Sequence, residues 1–144
     1  MEVRAPRGDE LNAVARLWWA SLQSTGLAQP YDDDAVMLRS RIDRELAAGW
    51  RLFVAVVDGG IAGMLALKPG VLDQLFVAPE RQGQGVGTQL FAHACAELSD
   101  GFTLRTQAEN HLARRFYVSR GMQLERIGPH PGGLPRPCAW YRWP

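Results

Sequence analysis

Three glycines alternate in Gln82-Gly83-Gln84-Gly85-Val86-Gly87, between the apolar run VLDQLFV and the helical pattern TQLFAHACAEL. A strand that feeds a helix through so short a loop confines the chain to folds in which sheet and helix occupy adjacent layers. Leu90, Phe91, Ala94, Cys95 and Leu98 recur at helical spacing and supply the face that packs. Glycine admits dihedrals closed to other residues and lets successive amides converge on one anion. A helix starting near Gly87 adds free N–H donors and the positive end of its dipole, so the segment has the makings of a pyrophosphate site. Two other phosphate loops are excluded. No Gly-Lys pair exists anywhere in the chain, and Leu90 stands where a dinucleotide fingerprint counted from Gly85 requires its third glycine. From the loop alone, a glycine-rich connection that binds nothing remains the alternative.

The flanking sequence extends this unit in both directions. VRAP is a short strand candidate, and Leu11, Val14, Ala15, Trp18 and Leu22 mark one face of a helix entered at Asp9. A second helix starts within Asp32, Asp33 and Asp34, presents Leu38, Ile42 and Leu46, and closes at Gly49. RLFVAVV and IAGMLALK flank Asp58-Gly59-Gly60 and read as an antiparallel hairpin. Beyond the glycine loop come a strand FTLRT, a helix from Asn110 to Gly121, a strand MQLERI, the rigid loop GPHPGGLPRP and a final strand CAWYRW. The order β-α-α-β-β-β-α-β-α-β-β predicts a single mixed α/β domain of the α+β type over residues 1–144. Its sheet is mostly antiparallel, with one parallel pair flanking the third helix.

Composition narrows the function classes. The chain has 144 residues and a formal net charge of +1, which gives no field for gathering a polyanion and argues against a nucleic-acid binder. Lys68 is the sole lysine among 16 basic residues, so most chemistry that needs a titrating lysine is excluded. Cys95 and Cys138 lack disulfide or C-x-x-C spacing, the N-terminal MEVRAPRGDE has no apolar targeting core, and no apolar run reaches membrane-spanning length. The expectation is a cytoplasmic protein. His93, His111 and His130 are scattered without ligand spacing, so no metal is expected.

The stretch LFVAPERQGQGVGTQLF resembles the acetyl-CoA signature of the GNAT superfamily of N-acetyltransferases, with Gln82, Gly85 and Gly87 matching Q/R-x-x-G-x-G/A. NHLARRFYVSRGM resembles the next element of the same superfamily, and the order of elements agrees along nearly the whole chain. The resemblance implies a GNAT-like fold whose fourth and fifth strands are parallel and splayed. It also implies acetyl-CoA as acyl donor, held on the amides of Gln82, Gly83, Gln84, Gly85, Val86, Gly87 and Thr88. The pantetheine arm would lie as an added strand along Leu75, Phe76 and Val77, with the amide near Leu75 polarising the thioester carbonyl.

In the helix after Asn110, the residues Asn110, Ala113, Arg114 and Tyr117 share one face, beside an apolar stripe of Leu112 and Phe116. By resemblance Asn110 contacts pantetheine, Arg114 supports the phosphates or adenosine, and Tyr117 protonates the departing thiolate. Asp73, which alternates with Leu75 and Val77, is the candidate base, with a water chain, His130 or Glu109 as alternatives. The acceptor would lie between Ser24–Asp34 and Gly128–Pro137, where Trp18, Trp19, Tyr31 and Trp140 could form an aromatic wall and Asp32 to Asp34 could favour a cationic amine. Packing of the Trp pair and helix capping by an Asp are the competing roles.

Neither cysteine is placed as a nucleophile: Cys95 lies on an apolar helix face and Cys138 opens the last strand. The expected reaction is therefore direct acetyl transfer to a primary amine, with a small molecule favoured over a protein or peptide. A non-catalytic acyl-CoA-binding module is the reading from another class. The final strand, rich in Trp140, Tyr141 and Trp143, is expected to be exposed and able to pair two copies into a homodimer.

Overall fold

The computed structural model describes residues 1–27 and 34–144. Seven strands form one sheet: β1 (Glu2–Arg4), β2 (Arg51–Val57), β3 (Gly60–Lys68), β4 (Val71–Val77), β5 (Phe102–Gln107), β6 (Gln123–Gly128) and β7 (Cys138–Trp143), in the order β1-β2-β3-β4-β5-β7-β6. Four helices join them: α1 (Leu11–Thr25), α2 (Ala35–Ala47), α3 (Val86–Glu97) and α4 (His111–Ser119). Every neighbouring pair is antiparallel except β4 and β5, as the sequence predicts. Among the described residues no helix is long and apolar enough to cross a membrane.

The sheet carries two cores because its interior strand β3 is apolar on both faces. Along β3, Met64 and Ala66 join a cluster with Val14, Trp18, Leu38 and Ile42 from α1 and α2, while Leu65 and Leu67 join Val86, Leu90, Phe91 and Tyr117 from α3 and α4. This alternation is the period-two geometry of a strand buried on both sides. Gly63 lets α3 approach closely: a Cβ there would stand 2.8 Å from Leu90 Cδ1 and 2.9 Å from Val86 Cγ1. At the β2–β3 hairpin both central residues have positive φ, Asp58 at 52° and Gly59 at 77°, the conformation that matches strand twist in a two-residue turn.

Three expectations are corrected by the sheet. The last strand is not an exposed edge, because β7 lies between β5 and β6 and Tyr141 is 1% exposed. The edge on that side is β6, so β7 cannot offer the pairing surface expected of it. Leu112 is 73% exposed, so the apolar stripe of α4 reaches the core through Phe116 and not through Leu112. The third correction concerns β4. Ala66 pairs with Gln74 and Leu67 with Leu72, so Asp73 is an extra, bulged residue. Alternation is broken there: Leu75 and Val77 pack toward α3 and α4, whereas Asp73 turns to Trp50 in the core under α1 and α2.

Candidate active site

Parallel pairing between β4 and β5 consists of one register pair, Val71 with Thr103, supported by the Thr103 amide donating to the Gly70 carbonyl at 3.0 Å. The bulge at Asp73 follows immediately and adds local bend and twist, which carries β4 away from β5. From there β4 pairs only with β3, and β5 only with β7. A cavity of about 160 Å³ opens in the gap. Leu72 to Phe76 line one side and Leu104 to Gln107 the other, with Asn110, Ala113 and Tyr117 from α4 and Trp18 from α1 closing the ends. Each strand therefore offers main-chain groups to the cleft with no partner strand across it.

Tyr117 is the buried anchor of α4, 7% exposed, with its ring 5.3 Å from Phe116 and 6.2 Å from Phe91. Burial pushes its phenol well above the ordinary tyrosine value, so the group holds its proton. Its hydroxyl makes no hydrogen bond among the described residues. Asn110 caps α4, its side-chain oxygen accepting from the Ala113 amide at 3.2 Å, which leaves the amide NH2 as its remaining donor group. Arg114 sits apart from these three. Its Nε donates to the Tyr141 hydroxyl at 2.8 Å and its Nη1 to the Ala108 carbonyl at 3.0 Å, and it lines a shallow groove outside the cavity. The helical face expected to be shared by all four residues is thus divided, with Arg114 turned toward β7.

Asp73 reaches the cavity with its Oδ2 accepting from the Trp50 indole N–H at 2.8 Å and lying 3.7 Å from Lys68 Nζ. It is the carboxylate of this lining among the described residues. Glu109 is instead paired with Arg136 at 3.0 Å, outside the cavity. His130 lines the cavity, and burial together with the charge of Arg105 holds its imidazole below the ordinary value. Its Nδ1 accepts from the Gly132 amide at 2.8 Å, so the neutral ring carries its proton on Nε2. That tautomer donates and does not act as a base toward the cavity.

The glycine loop divides its labour. Gly83 and Gly85 have φ of 78° and 84°, and a Cβ on either would meet nothing within 4 Å. Their open outer side is the space an anion needs. Gly87 serves packing, since a Cβ there would lie 3.4 Å from Phe116 Cε1. Gly85 is the N-cap of α3, and the first intrahelical bond runs from the Gln89 amide to the Gly85 carbonyl, so the amides of Val86, Gly87 and Thr88 point forward without intrahelical acceptors. Val86 itself is buried under the loop at 1% exposure. Gln82 Nε2 reaches back to the Val77 carbonyl at 3.5 Å, and Ser21 Oγ donates to the same carbonyl at 2.7 Å, which ties the end of β4 to α1.

Arg120 was not singled out by sequence. Its guanidinium lies 4.5 Å over the Phe116 ring and donates to Thr88 Oγ1, which places a cation beside the first turn of α3. Its position just before Gly121, where α4 ends and the chain returns toward α3, carries no signal by spacing alone. Of the aromatic wall, Trp18 lines the cavity, Trp19 packs at the α1–α2 core, and Trp140 lies under Arg126. Tyr31, Asp32 and Asp33 lie outside the described residues. Asp34 caps α2, accepting from the Met37 amide at 2.9 Å. Cys138 is 2% exposed in the cavity wall, and burial raises both its thiol and that of Cys95.

A profile of the acetyltransferase (GNAT) domain matches residues 48–122, the stretch from β2 through the end of α4. The chain belongs to the GNAT acetyltransferases. A Salmonella typhimurium protein named peptidyl-lysine N-acetyltransferase YjaB is 29% identical over 127 residues, covering 86% of this chain and 84% of its own length. An uncharacterised N-acetyltransferase of Archaeoglobus fulgidus is 30% identical over 89% of this chain and 97% of its own. Among solved structures, a ribosomal-protein-alanine N-acetyltransferase from Brucella melitensis superposes with TM-score 0.80 at 15% identity over 99% of both chains. The yncA structure from Salmonella typhimurium, solved with acetyl-CoA, gives 0.77 at 15% identity, over 99% of this chain and 92% of that one.

These likenesses make the protein an acetyl-CoA-dependent N-acetyltransferase of the GNAT fold. The residues present fit that donor. An open pair of positive-φ glycines at a helix N-terminus suits a pyrophosphate, and the cleft between β4 and β5 suits an extended, amide-bearing arm.

Proposed function

We propose that this GNAT acetyltransferase moves the acetyl group directly onto a small primary amine, with Tyr117 as general acid and Asp73 as general base. The observation that carries this reading is the single cavity in which Tyr117, Asn110, Asp73 and the free side of Leu75 and Phe76 converge. The amides of Gln82 to Thr88, with Arg120 beside them, seat the pyrophosphate, while Leu75, Phe76 and Val77 offer main chain to the pantetheine. Arg114 acts on the cofactor only indirectly, by fixing α4 against Tyr141.

Acetyl-CoA supplies the thioester: the amine nitrogen forms the new C–N bond, the C–S bond breaks, sulfur takes up one proton, and the nitrogen gives one up. Tyr117 supplies the proton to sulfur, a role that suits a phenol kept in its acid form by burial. Asp73 receives the amine's proton through Oδ1, since Oδ2 is engaged by Trp50. The main-chain amide near Leu75 donates to the carbonyl oxygen as charge develops there.

Peptide lysine is the second acceptor reading, favoured by the name of the Salmonella relative. A panel of small amines and lysine peptides, scored by free-CoA release, separates the two. Turnover of peptides alone would replace the small-molecule reading, and tight acetyl-CoA binding with no turnover of any amine would make the protein a cofactor-binding module.

A further inference from the structure

The sheet ends on two unequal edges, β1 and β6. β1 is three residues long, and so short an edge offers little to a second chain. β6 runs for six residues, Gln123-Leu124-Glu125-Arg126-Ile127-Gly128, and every one from Gln123 to Ile127 is exposed. Among the described residues it pairs with β7 alone, so its outer row of N–H and C=O groups has no partner strand. Leu124 and Ile127 are 46% and 52% exposed, and apolar side chains on an open edge favour association.

A bulge sorts these side chains between the two faces. The β6–β7 register shifts between Leu124 and Arg126, so Glu125 is the extra residue. Leu124 and Ile127 stand opposite Tyr141 and Ala139, which belong to the core beneath α3 and α4, and both therefore project on that face. Gln123 and Arg126 stand opposite Arg142 and Trp140 on the other face, where Glu125 joins them by accepting from Arg142 at 2.9 Å. Without the bulge, Leu124 and Ile127 are three apart and fall on opposite faces. Val118 of α4, 56% exposed in the groove it shares with Tyr141, extends the apolar surface inward.

Laid antiparallel against a copy of itself, β6 is complementary about one point, the peptide bond between Glu125 and Arg126. Each Glu125 then faces the Arg126 of the other copy, each Leu124 faces an Ile127, and each Gln123 faces a Gly128. A two-fold axis normal to the sheet keeps the faces matched, so two opposite-charge pairs meet on one face and four apolar side chains on the other. Both charged groups have capacity left. Arg142 takes Oε2 of Glu125 and leaves Oε1, and Arg126 lies 3.6 Å over Trp140, a contact that uses the guanidinium face and leaves its N–H groups to donate. A slip of one residue either way sets Glu125 against Glu125 or Arg126 against Arg126. Charge and bulge, which commonly guard an edge, here reject the neighbouring registers and admit this one.

We propose that β6 pairs antiparallel with β6 of a second copy of this chain, which joins two seven-stranded sheets across a two-fold axis. The pairing expected of β7 falls to its neighbour. No residue of β6 lines the cavity between β4 and β5, so each copy keeps its own site.

The test is sedimentation equilibrium on the full chain, with charge reversal at the axis. Wild type should form a dimer with a Kd below about 1 mM. Glu125→Arg and Arg126→Glu each set two like-charge pairs at the axis and should raise that Kd by about 10-fold or more. Mixed in equal amounts, the two variants regain opposite charges at both contacts and should form a mixed dimer as tight as wild type. Ile127→Lys, which alters neither charge, should also weaken the dimer, and it carries the test if a charge variant does not fold. The acetyl-CoA Kd should stay unchanged in all of them. A wild type that remains monomeric up to about 1 mM would overturn the proposal. So would a dimer indifferent to these substitutions, or two folded charge variants that fail to associate on mixing.

Discussion

Replacing Tyr117 by Phe separates chemistry from packing more cleanly than any other change in this site. The ring is held by Phe116, Phe91 and Tyr141 at centroid distances of 5.3, 6.2 and 6.4 Å, and a phenylalanine keeps all three contacts. Removal of the hydroxyl breaks no hydrogen bond among the described residues. Tyr117 lines the cavity and its hydroxyl is not among the buried unpartnered polar atoms of the described residues, so no desolvation cost is relieved and the variant should be about as stable as the parent. Catalysis should fall. Loss of a general acid lowers turnover by about 10²-fold or more, equivalent to roughly 2.7 kcal/mol of transition-state stabilisation. The assay is steady-state CoA release with the best amine acceptor, alongside thermal unfolding and an acetyl-CoA titration. The expected signature is a large fall in kcat with an unchanged Tm and an unchanged acetyl-CoA Kd. Because burial raises the phenol, wild-type turnover should also show no loss from its ionisation up to about pH 9. Turnover within twofold of wild type would remove Tyr117 from the mechanism, and parallel losses of stability and cofactor affinity would reduce it to a packing residue.

Gly85→Val places a β-branched side chain at φ 84° and into the open side of the loop. Acetyl-CoA binding should be lost by calorimetry, with a stability cost of about 1–3 kcal/mol and a folded circular-dichroism spectrum. Arg120→Ala removes the cation beside Thr88 and should raise the acetyl-CoA Kd by about 10-fold, with a shallower salt dependence than wild type. Glu10 accepts from Arg4 at 2.8 and 2.9 Å and from the Arg7 amide at 2.7 Å, and these bonds hold its carboxyl down at about 2. A depressed carboxyl stabilises the fold above its unfolded value near 4.3 and loses that contribution as pH falls through its folded value. Glu10→Gln should therefore be less stable than wild type at neutral pH, with the gap in urea midpoint closing between about pH 4 and pH 2.

Those features that rest on local periodicity were legible in the sequence. Helical spacing placed α1, α3 and α4, the Asp58-Gly59 turn placed the hairpin, and the strand–glycine loop–helix unit placed the parallel pair. What periodicity could not show is where a strand slips by one residue. The bulge at Asp73 moved that carboxylate to the opposite face from Leu75 and set it against Trp50. Strand order is likewise not local: β7 follows β6 in the chain yet lies inside it, which turned an expected edge into core. Arg120 and Arg105 were hidden for a related reason, since an isolated arginine acquires meaning only from what the fold brings beside it. For Arg120 that is Thr88, and for Arg105 it is the cavity wall beside His130. Arg114 shows the converse, because a helical face predicted from spacing was divided by a hydrogen bond to Tyr141 from another strand.

Acetyl transfer at this site is tested most directly by incubating the protein with acetyl-CoA and the amine panel and measuring N-acetylated amine and free CoA in the same samples by mass spectrometry. One acetylated amine should form for each CoA released, at a rate abolished in Gly85→Val and cut sharply in Tyr117→Phe. CoA release without an acetylated product, or product formation that survives both substitutions, would contradict direct transfer in the cleft between β4 and β5.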